Sequence, residues 1–203
     1  MMKITKLFIG ITLSSLGIAM VTKSCLGTYA ITTTVQAISN WGMIPFSIAN
    51  LLLEIGMIGY ATYKGEGLGW TAIVNALLGS ILISVFLNIL PENSFLFLGI
   101  FVTPIAWAMM GSVGWGDTGS NILMRALMKN TGKDILTIRA LEEAFFLFIG
   151  FLGAREYVTI YSVLITIVTP IILKVLYGII HYKPAEIEHQ FISFERLIRK
   201  NTH

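Results

Sequence analysis

Long apolar runs separated by short polar segments dominate the chain. The runs cover residues 7–21, 44–62, 71–90, 95–113, 135–152 and 158–180. A helix needs about 20 residues to cross the roughly 30 Å hydrocarbon core of a bilayer, and runs of this length can span it. The pattern therefore predicts an all-α integral membrane protein with six transmembrane helices.

Two shorter and more polar segments lie between the apolar runs. They cover residues 27–40 and 117–130, and each begins at or next to a glycine. A helix of about 14 residues at 1.5 Å per residue is only about 21 Å long, which is less than the bilayer core. We expect two short broken or re-entrant helices here, in addition to the six spans.

The two halves of the chain share a pattern of glycines and segment lengths. An offset of about 89 residues brings Gly10 onto Gly99 and Gly27 onto Gly116. Three spans in each half, an odd number, would make the second half enter the membrane upside down relative to the first. Since the chain holds 19 glycines, a chance match is the alternative. The inverted-topology 3+3 repeat divides the chain into a first repeat (1–93), a second repeat (94–182) and a tail (183–203).

Charge content and placement agree with a membrane protein. Only 12% of residues are charged, against about 25% in soluble domains, and the mean hydropathy is +0.79. The basic residues are scattered without a contiguous patch, which argues against nucleic acid as a partner. With six spans and the amino terminus inside, eleven basic residues lie on the cytoplasmic side and only Lys23 and Arg155 lie outside.

This bias predicts a multi-pass protein of the bacterial cytoplasmic membrane with both termini in the cytoplasm. Counting the two short segments as full spans gives eight crossings. That alternative moves Lys64 outside and Glu92 inside, which is a poorer fit to the positive-inside rule.

The sequence contains no recognisable catalytic or metal-binding motif. It has one cysteine, Cys25, and its three histidines lie near or in the tail. Neither a metal-ligand spacing nor a P-loop, an HExxH motif or a nucleophile–base pair occurs. We therefore expect no enzyme activity, no catalytic residue, no bound metal and no cofactor.

Besides Lys174, which counts among the cytoplasmic basic residues, four charged residues lie within the predicted spans. Glu54 is near the middle of the second span, and Arg139, Glu142 and Glu143 lie in the fifth, its counterpart in the second half. A lone ionised side chain at the bilayer centre costs about 2.5–3.5 kcal/mol on insertion scales, so such residues face the protein interior, pair or protonate. One hypothesis is a midplane site for a cation, a proton or an amine. The alternative is that Arg139 and Glu143, at i,i+4 spacing, neutralise each other while Glu54 pairs elsewhere.

The glycine breaks before the short helices expose unpaired backbone N–H groups, which favour anionic ligands. Asp117 at the second break is either part of such a site or an ordinary helix N-cap. Asn121 either lines a path or serves helix packing. The candidate substrate-binding residues are Glu54, Asp117, Asn121, Arg139, Glu142 and Glu143.

The tail has apolar residues at helical spacing with basic residues among them. The apolar positions include Ile187, Phe191 and Phe194, and the basic ones include Arg196 and Arg199. This pattern predicts a basic amphipathic helix on the cytoplasmic membrane surface, with a partner-binding helix as the alternative.

Several second-half residues resemble those of a known family. They are Gly116-Asp117-Thr118, Leu123, Leu127, Thr131-Gly132, Arg139, Glu142, Glu143, Gly150, Gly153, Thr159 and Pro170. The set is similar to that of the bacterial YczE/YitT-like integral membrane proteins, which are small multi-helix proteins. The first half departs from that pattern at Leu26-Gly27-Thr28-Tyr29-Ala30. The resemblance implies the multi-helix architecture and marks Asp117, Arg139 and Glu142 without giving them roles.

Two functions remain open from the sequence. The first is a small bacterial transporter or channel-like protein with a polar midplane site between two repeats, acting on a small solute, a cation or a proton. The second is a non-transporting regulatory or assembly protein that acts through helix packing and the basic tail. The lipid bilayer is the expected partner, and small residues such as Gly10 and Ser14 permit homo-oligomers.

Overall fold

The computed structural model describes residues 2–93, 96–113, 115 and 118–179. Within these residues the chain forms eight helices and no β-strand. The helices are α1 (Met2–Lys23), α2 (Ala30–Gly42), α3 (Phe46–Tyr63), α4 (Trp70–Ile89), α5 (Leu96–Gly111), α6 (Gly119–Thr131), α7 (Ile135–Gly153) and α8 (Ile160–Ile179). A π-helical turn, Asn75–Gly79, lies within α4, and a 3-10 turn, Arg155–Tyr157, joins α7 to α8. The amphipathic helix predicted over 183–203 lies outside the described residues.

The all-helical prediction is confirmed, and helices occur over the six apolar runs and over the two shorter, more polar segments. By length and composition α1, α4 and α8 can each cross a membrane. The pair α2 and α3, which meet at a bend of 115°, can provide a fourth span. Helix α5 is apolar but has only 16 residues, and α7 has 19 residues but carries three charged side chains. The described residues thus hold three or four helices that can cross a membrane.

Two residues, Gly132 and Asp134, define the short connection between α6 and α7. Gly132 ends α6 in the left-handed region, at a φ of 68°, which glycine adopts without steric penalty. Two residues later, Asp134 is the N-cap of α7. Its carboxylate accepts hydrogen bonds from the backbone N–H groups of Leu136 (2.8 Å) and Thr137 (3.0 Å). Helix α6 therefore ends and α7 begins within three residues.

The distribution of side chains is inverted relative to a soluble protein. Large apolar side chains such as Ile55, Phe145 and Ile167 are each more than half exposed. Polar side chains such as Thr33 and Ser162 are completely buried. An apolar exterior matches lipid, since hydrocarbon offers no hydrogen bonds to an outward-facing polar group.

Helix packing follows one scheme in both halves. Helix α1 packs along α5, α2 packs on α7, and α3 packs on α6. Within the halves, α1 contacts α4 as α5 contacts α8, and α3 contacts α4 as α7 contacts α8. Each of these pairings has its counterpart when α1–α4 are exchanged with α5–α8. Helices α1 and α5 approach closely at Gly99, where a Cβ would lie only 2.7 Å from the carbonyl oxygen of Gly17. The missing side chain of glycine permits this approach.

Hydrogen bonds of residues that precede each short helix connect the two halves of the chain. Before α2, the backbone N–H of Thr28 donates to Ser162 Oγ (3.0 Å), and Thr159 Oγ1 donates to the carbonyl oxygen of Leu26. Before α6, the carbonyl oxygen of Trp115 accepts from the backbone N–H of Thr71 (3.2 Å). Each short helix therefore follows a segment that is held by the last long helix of the opposite half.

Candidate functional site

Four charged side chains, one from α3 and three from α7, meet in the interior around Arg139 of α7. Its guanidinium donates to Glu142 Oε2 (2.9 Å) and to Ser120 Oγ on α6 (3.0 Å). Its Nε lies 3.3 Å from Glu143 Oε1. We call Glu54, Ser120, Arg139, Glu142 and Glu143 the central cluster, and each of these residues is at least 93% buried.

Glu54 brings the first half of the chain into this cluster. Its carboxylate faces the backbone N–H of Gly119, the first residue of α6, and it lies close enough to Glu142 for the two carboxylates to repel each other. A Cβ at position 119 would overlap Glu54 Oε2, so only glycine permits this approach. The positive end of α6 therefore faces a carboxylate supplied by α3.

Aromatic rings close one side of the cluster. The Cζ atom of Arg139 lies 5.4 Å from the ring centroid of Trp107 on α5, a cation–π geometry. The Trp107 ring in turn lies 6.0 Å from that of Tyr29, whose hydroxyl donates to the carbonyl oxygen of Gly99 (2.9 Å). These contacts place the guanidinium against the Trp107 ring and connect it through Tyr29 to the backbone of α5.

Asn121 lies beside the central cluster and joins α6 to α8. Its Nδ2 donates to the hydroxyl of Tyr177 (3.1 Å), and that hydroxyl interacts electrostatically with Arg139. Asn121 is 1% exposed. Both meanings considered from the sequence, packing and lining of a path, are compatible with this position.

The central cluster holds more acid than base. Three carboxylates against one guanidinium leave two negative charges in excess when all are ionised. Three carboxylate oxygens are buried without a hydrogen-bond donor among the described residues: Glu54 Oε2, Glu142 Oε1 and Glu143 Oε2. Because a buried uncompensated charge costs several kcal/mol, protons or a bound cation would stabilise this cluster.

A second buried ionic cluster lies where α3 and α6 end. Glu66, in the loop after α3, contacts Lys129 Nζ at 2.7 Å and Arg125 Nε at 3.6 Å. Glu66 and Arg125 are buried, whereas the Lys129 side chain is 48% exposed. We call these three residues the peripheral cluster.

The peripheral cluster was not predicted from the sequence. Arg125 and Lys129 counted there only among the eleven basic residues assigned to the cytoplasmic side. Their i,i+4 spacing on one face of α6 was the available signal, since such a pair favours a shared acidic partner. Glu66 itself lies in a loop, where no periodicity indicates its contacts.

The structure brings together Glu54, Arg139, Glu142 and Glu143, with Asn121 adjacent. Asp117 lies outside the described residues. The i,i+4 pair of Arg139 and Glu143 exists, as the packing hypothesis expected, but it lies within the same cluster as Glu54. Sequence reasoning missed the roles of Gly119, Trp107 and Tyr29, because the contacts of these residues cross between helices distant in sequence.

The comparisons with known proteins found no relative of the chain. No family model matches the chain, and neither a curated protein nor a solved structure matches it. Membership of the YczE/YitT-like family therefore stays a prediction from the second-half residues.

Proposed function

We propose that this protein is a small transporter or channel-like protein of the bacterial cytoplasmic membrane, with its transport site at the central cluster. The observation that carries the proposal is the meeting of three carboxylates and one guanidinium inside helices whose outer faces are apolar. Ionisable residues at membrane depth are costly, and they characteristically mark ion and substrate pathways.

The internal symmetry supports an inverted repeat around this site. The 89-residue offset that aligns the glycines also aligns Glu54 with Glu143. Each of these two residues lies on a long helix, α3 or α7, that packs on the short helix of the opposite half. Transporters built from inverted repeats have their sites at the repeat interface, next to broken helices. We infer six spans, α1, α3, α4, α5, α7 and α8, with α2 and α6 as re-entrant helices and both termini in the cytoplasm.

The excess of acid favours a transport role over a purely structural one. Replacing a buried ion pair by well-packed apolar residues is often neutral or stabilising, so packing alone gives no advantage to Glu54 and Glu142. A site that must take up and release a positively charged species requires such an excess. We therefore expect the cluster to exchange a cation or a proton during each transport cycle.

The test is flux through the full-length protein reconstituted in liposomes, screened with small solutes and with pH gradients. Glu54→Gln and Glu142→Gln should reduce flux to the level of empty liposomes, because each removes an exchangeable carboxyl from the site. Glu156→Gln is the matched control, since Glu156 is exposed in the turn between α7 and α8. Its flux should equal that of the wild type.

Two results would contradict the proposal. One is an observed flux that both cluster variants leave unchanged. The other is the absence of flux for every solute tested together with copurification of a stable partner, which would favour the regulatory or assembly function.

A further inference from the structure

We propose that the exchangeable ion of the central cluster is a proton and that Glu54 is the carboxyl that binds and releases it. This inference rests on the proposed transport function and names the ion that the site would couple to transport.

Glu54 differs from the other two carboxylates in its partners. Glu142 and Glu143 each contact the guanidinium of Arg139. Glu54 forms no ion pair with a basic side chain in the part of the chain that the structure describes, and one of its oxygens has no hydrogen-bond donor there. Its only electrostatic support among these residues is the N–H of Gly119 at the positive end of α6.

A single contact with the N–H of Gly119 suits a carboxyl that must change its charge. A carboxylate paired with an arginine is held in its ionised form, and a buried carboxyl without any favourable dipole is held in its neutral form. Glu54 lies between these cases, because the α6 terminus stabilises the anion while burial and Glu142 oppose it. Glu54 is thus the one carboxyl of the central cluster that no guanidinium holds in its ionised form among the described residues.

Space at Glu54 favours a proton over a metal ion. Oε2 lies so close to the backbone of α6 that a methyl group at Gly119 would overlap it. Coordination of a metal requires several oxygen ligands around a cation of finite radius. Among the described residues no group of three acidic, histidine or cysteine side chains is placed to hold a metal ion. A proton needs neither additional ligands nor additional volume.

The other titratable groups near Glu54 are few. Helices α2 and α4, which pack on α3, carry no titratable side chain, and the basic residues of α6 contact Glu66 instead. Helix α7 contributes Arg139, Glu142 and Glu143, of which Glu142 acts directly on Glu54. Asp117, which precedes α6, lies outside the described residues.

Protonation of Glu54 would change the fit between α3 and α6. The ionised carboxylate attracts the N-terminus of α6 and repels Glu142, whereas the protonated carboxyl does neither as strongly. Binding of a proton to an oxygen of Glu54 thus weakens the electrostatic contact between α3 and the N-terminus of α6. Release of the proton restores that contact.

Infrared difference spectroscopy tests the proton site independently of transport. The full-length protein in lipid bilayers is titrated with acid and base, and the C=O stretching band of protonated carboxylic acids is recorded in H2O and in D2O. We expect the titrating band to contain, beside the contributions of the other acidic residues, a component that shifts in D2O and is lost in Glu54→Gln. This component should be retained in the control Glu156→Gln and, with a shifted titration midpoint, in Glu54→Asp.

Each outcome has a distinct meaning. A band that Glu54→Gln leaves unchanged would overturn the proton site even where solute flux is observed. A flux that needs Na⁺ and ignores the pH gradient would also overturn it. Loss of this component in Glu54→Gln, without flux of any solute, would uphold proton binding at Glu54 and count against the transport function. If Glu54→Gln does not fold, an unshifted titration in Glu54→Asp would overturn the assignment to Glu54.

Discussion

The central and peripheral clusters use the same types of side chain with opposite balance. The central cluster has three carboxylates for one guanidinium, and all its members are buried. The peripheral cluster has one carboxylate for two basic side chains, and one of these, Lys129, extends into an exposed position. Surplus positive charge on Lys129 is solvated, whereas surplus negative charge around Glu54 is enclosed. Enclosure, more than the number of charges, distinguishes the central cluster from the peripheral cluster.

Removal of Arg139 should have the largest effect on stability. Arg139→Met leaves three carboxyls buried without their single cation, and breaking such a cluster costs about 3–5 kcal/mol. The free energy of unfolding, from denaturation in mixed detergent micelles followed by tryptophan fluorescence, measures the loss.

Arg155→Met is the matched control for this variant. Arg155 is exposed, and its Cζ lies 5.2 Å from the ring centroid of Phe151, so its removal should cost only about 0.5–1 kcal/mol. Equal losses in the two variants would mean that enclosure does not distinguish the central cluster.

Removal of the acid in the peripheral cluster should have an intermediate effect. Glu66→Gln keeps the side-chain shape but removes the charge that Arg125 and Lys129 contact. We expect a loss of about 1.5–3 kcal/mol, the usual contribution of hydrogen bonds to charged groups. The same denaturation experiment measures it, and a loss larger than that of Arg139→Met would reverse the proposed ranking of the clusters.

Removal of the exposed base should matter less. Lys129→Gln deletes a contact of 2.7 Å, but the lysine is half exposed and water replaces much of the interaction. We expect a change of about 0–1 kcal/mol in the free energy of unfolding, which should shrink further at high salt. A loss above that of Glu66→Gln would show that Lys129 is effectively enclosed.

The smallest effect at neutral pH is expected at the exposed end of α7. The N–H and then the hydroxyl of Thr137 donate to the Asp134 carboxylate and lower its pKa below the usual range. Since the folded-state pKa is depressed, the carboxylate stabilises the fold above the unfolded-state pKa of about 3.9, and this contribution is lost as the pH falls through the folded-state pKa.

Asp134→Asn should therefore unfold at nearly the wild-type temperature near neutral pH, because asparagine is an equally good N-cap. On acidification from about pH 5 to about pH 2, the wild type should lose more thermal stability than the variant. Parallel acid profiles would contradict the capping role. Asp134 and Glu54 both face helix N-termini, so this variant also shows how a carboxylate behaves there when it is open to water.

The apolar runs were sufficient to predict where the helices lie, because burial in lipid demands long uninterrupted segments. The grouping of Arg139 with Glu142 and Glu143 was also predictable, since i,i+3 and i,i+4 spacing places them on one helix face. The contact between Glu54 and Gly119 was not. It depends on the packing of α3 against α6, which are far apart in sequence, and on the missing side chain of a glycine that looks like an ordinary helix break.

The ties between the two halves also constrain the order of synthesis. The bond from the Thr28 N–H to Ser162 Oγ joins positions 134 residues apart. The segment before α2 is synthesised long before Ser162, so the N–H of Thr28 lacks this acceptor until α8 is being made. A chain truncated before residue 159 loses both hydrogen bonds to that segment, and its first short helix should be cleaved faster in limited proteolysis than that of the full-length protein. Among the described helices, α8 thus completes the contacts between the two halves.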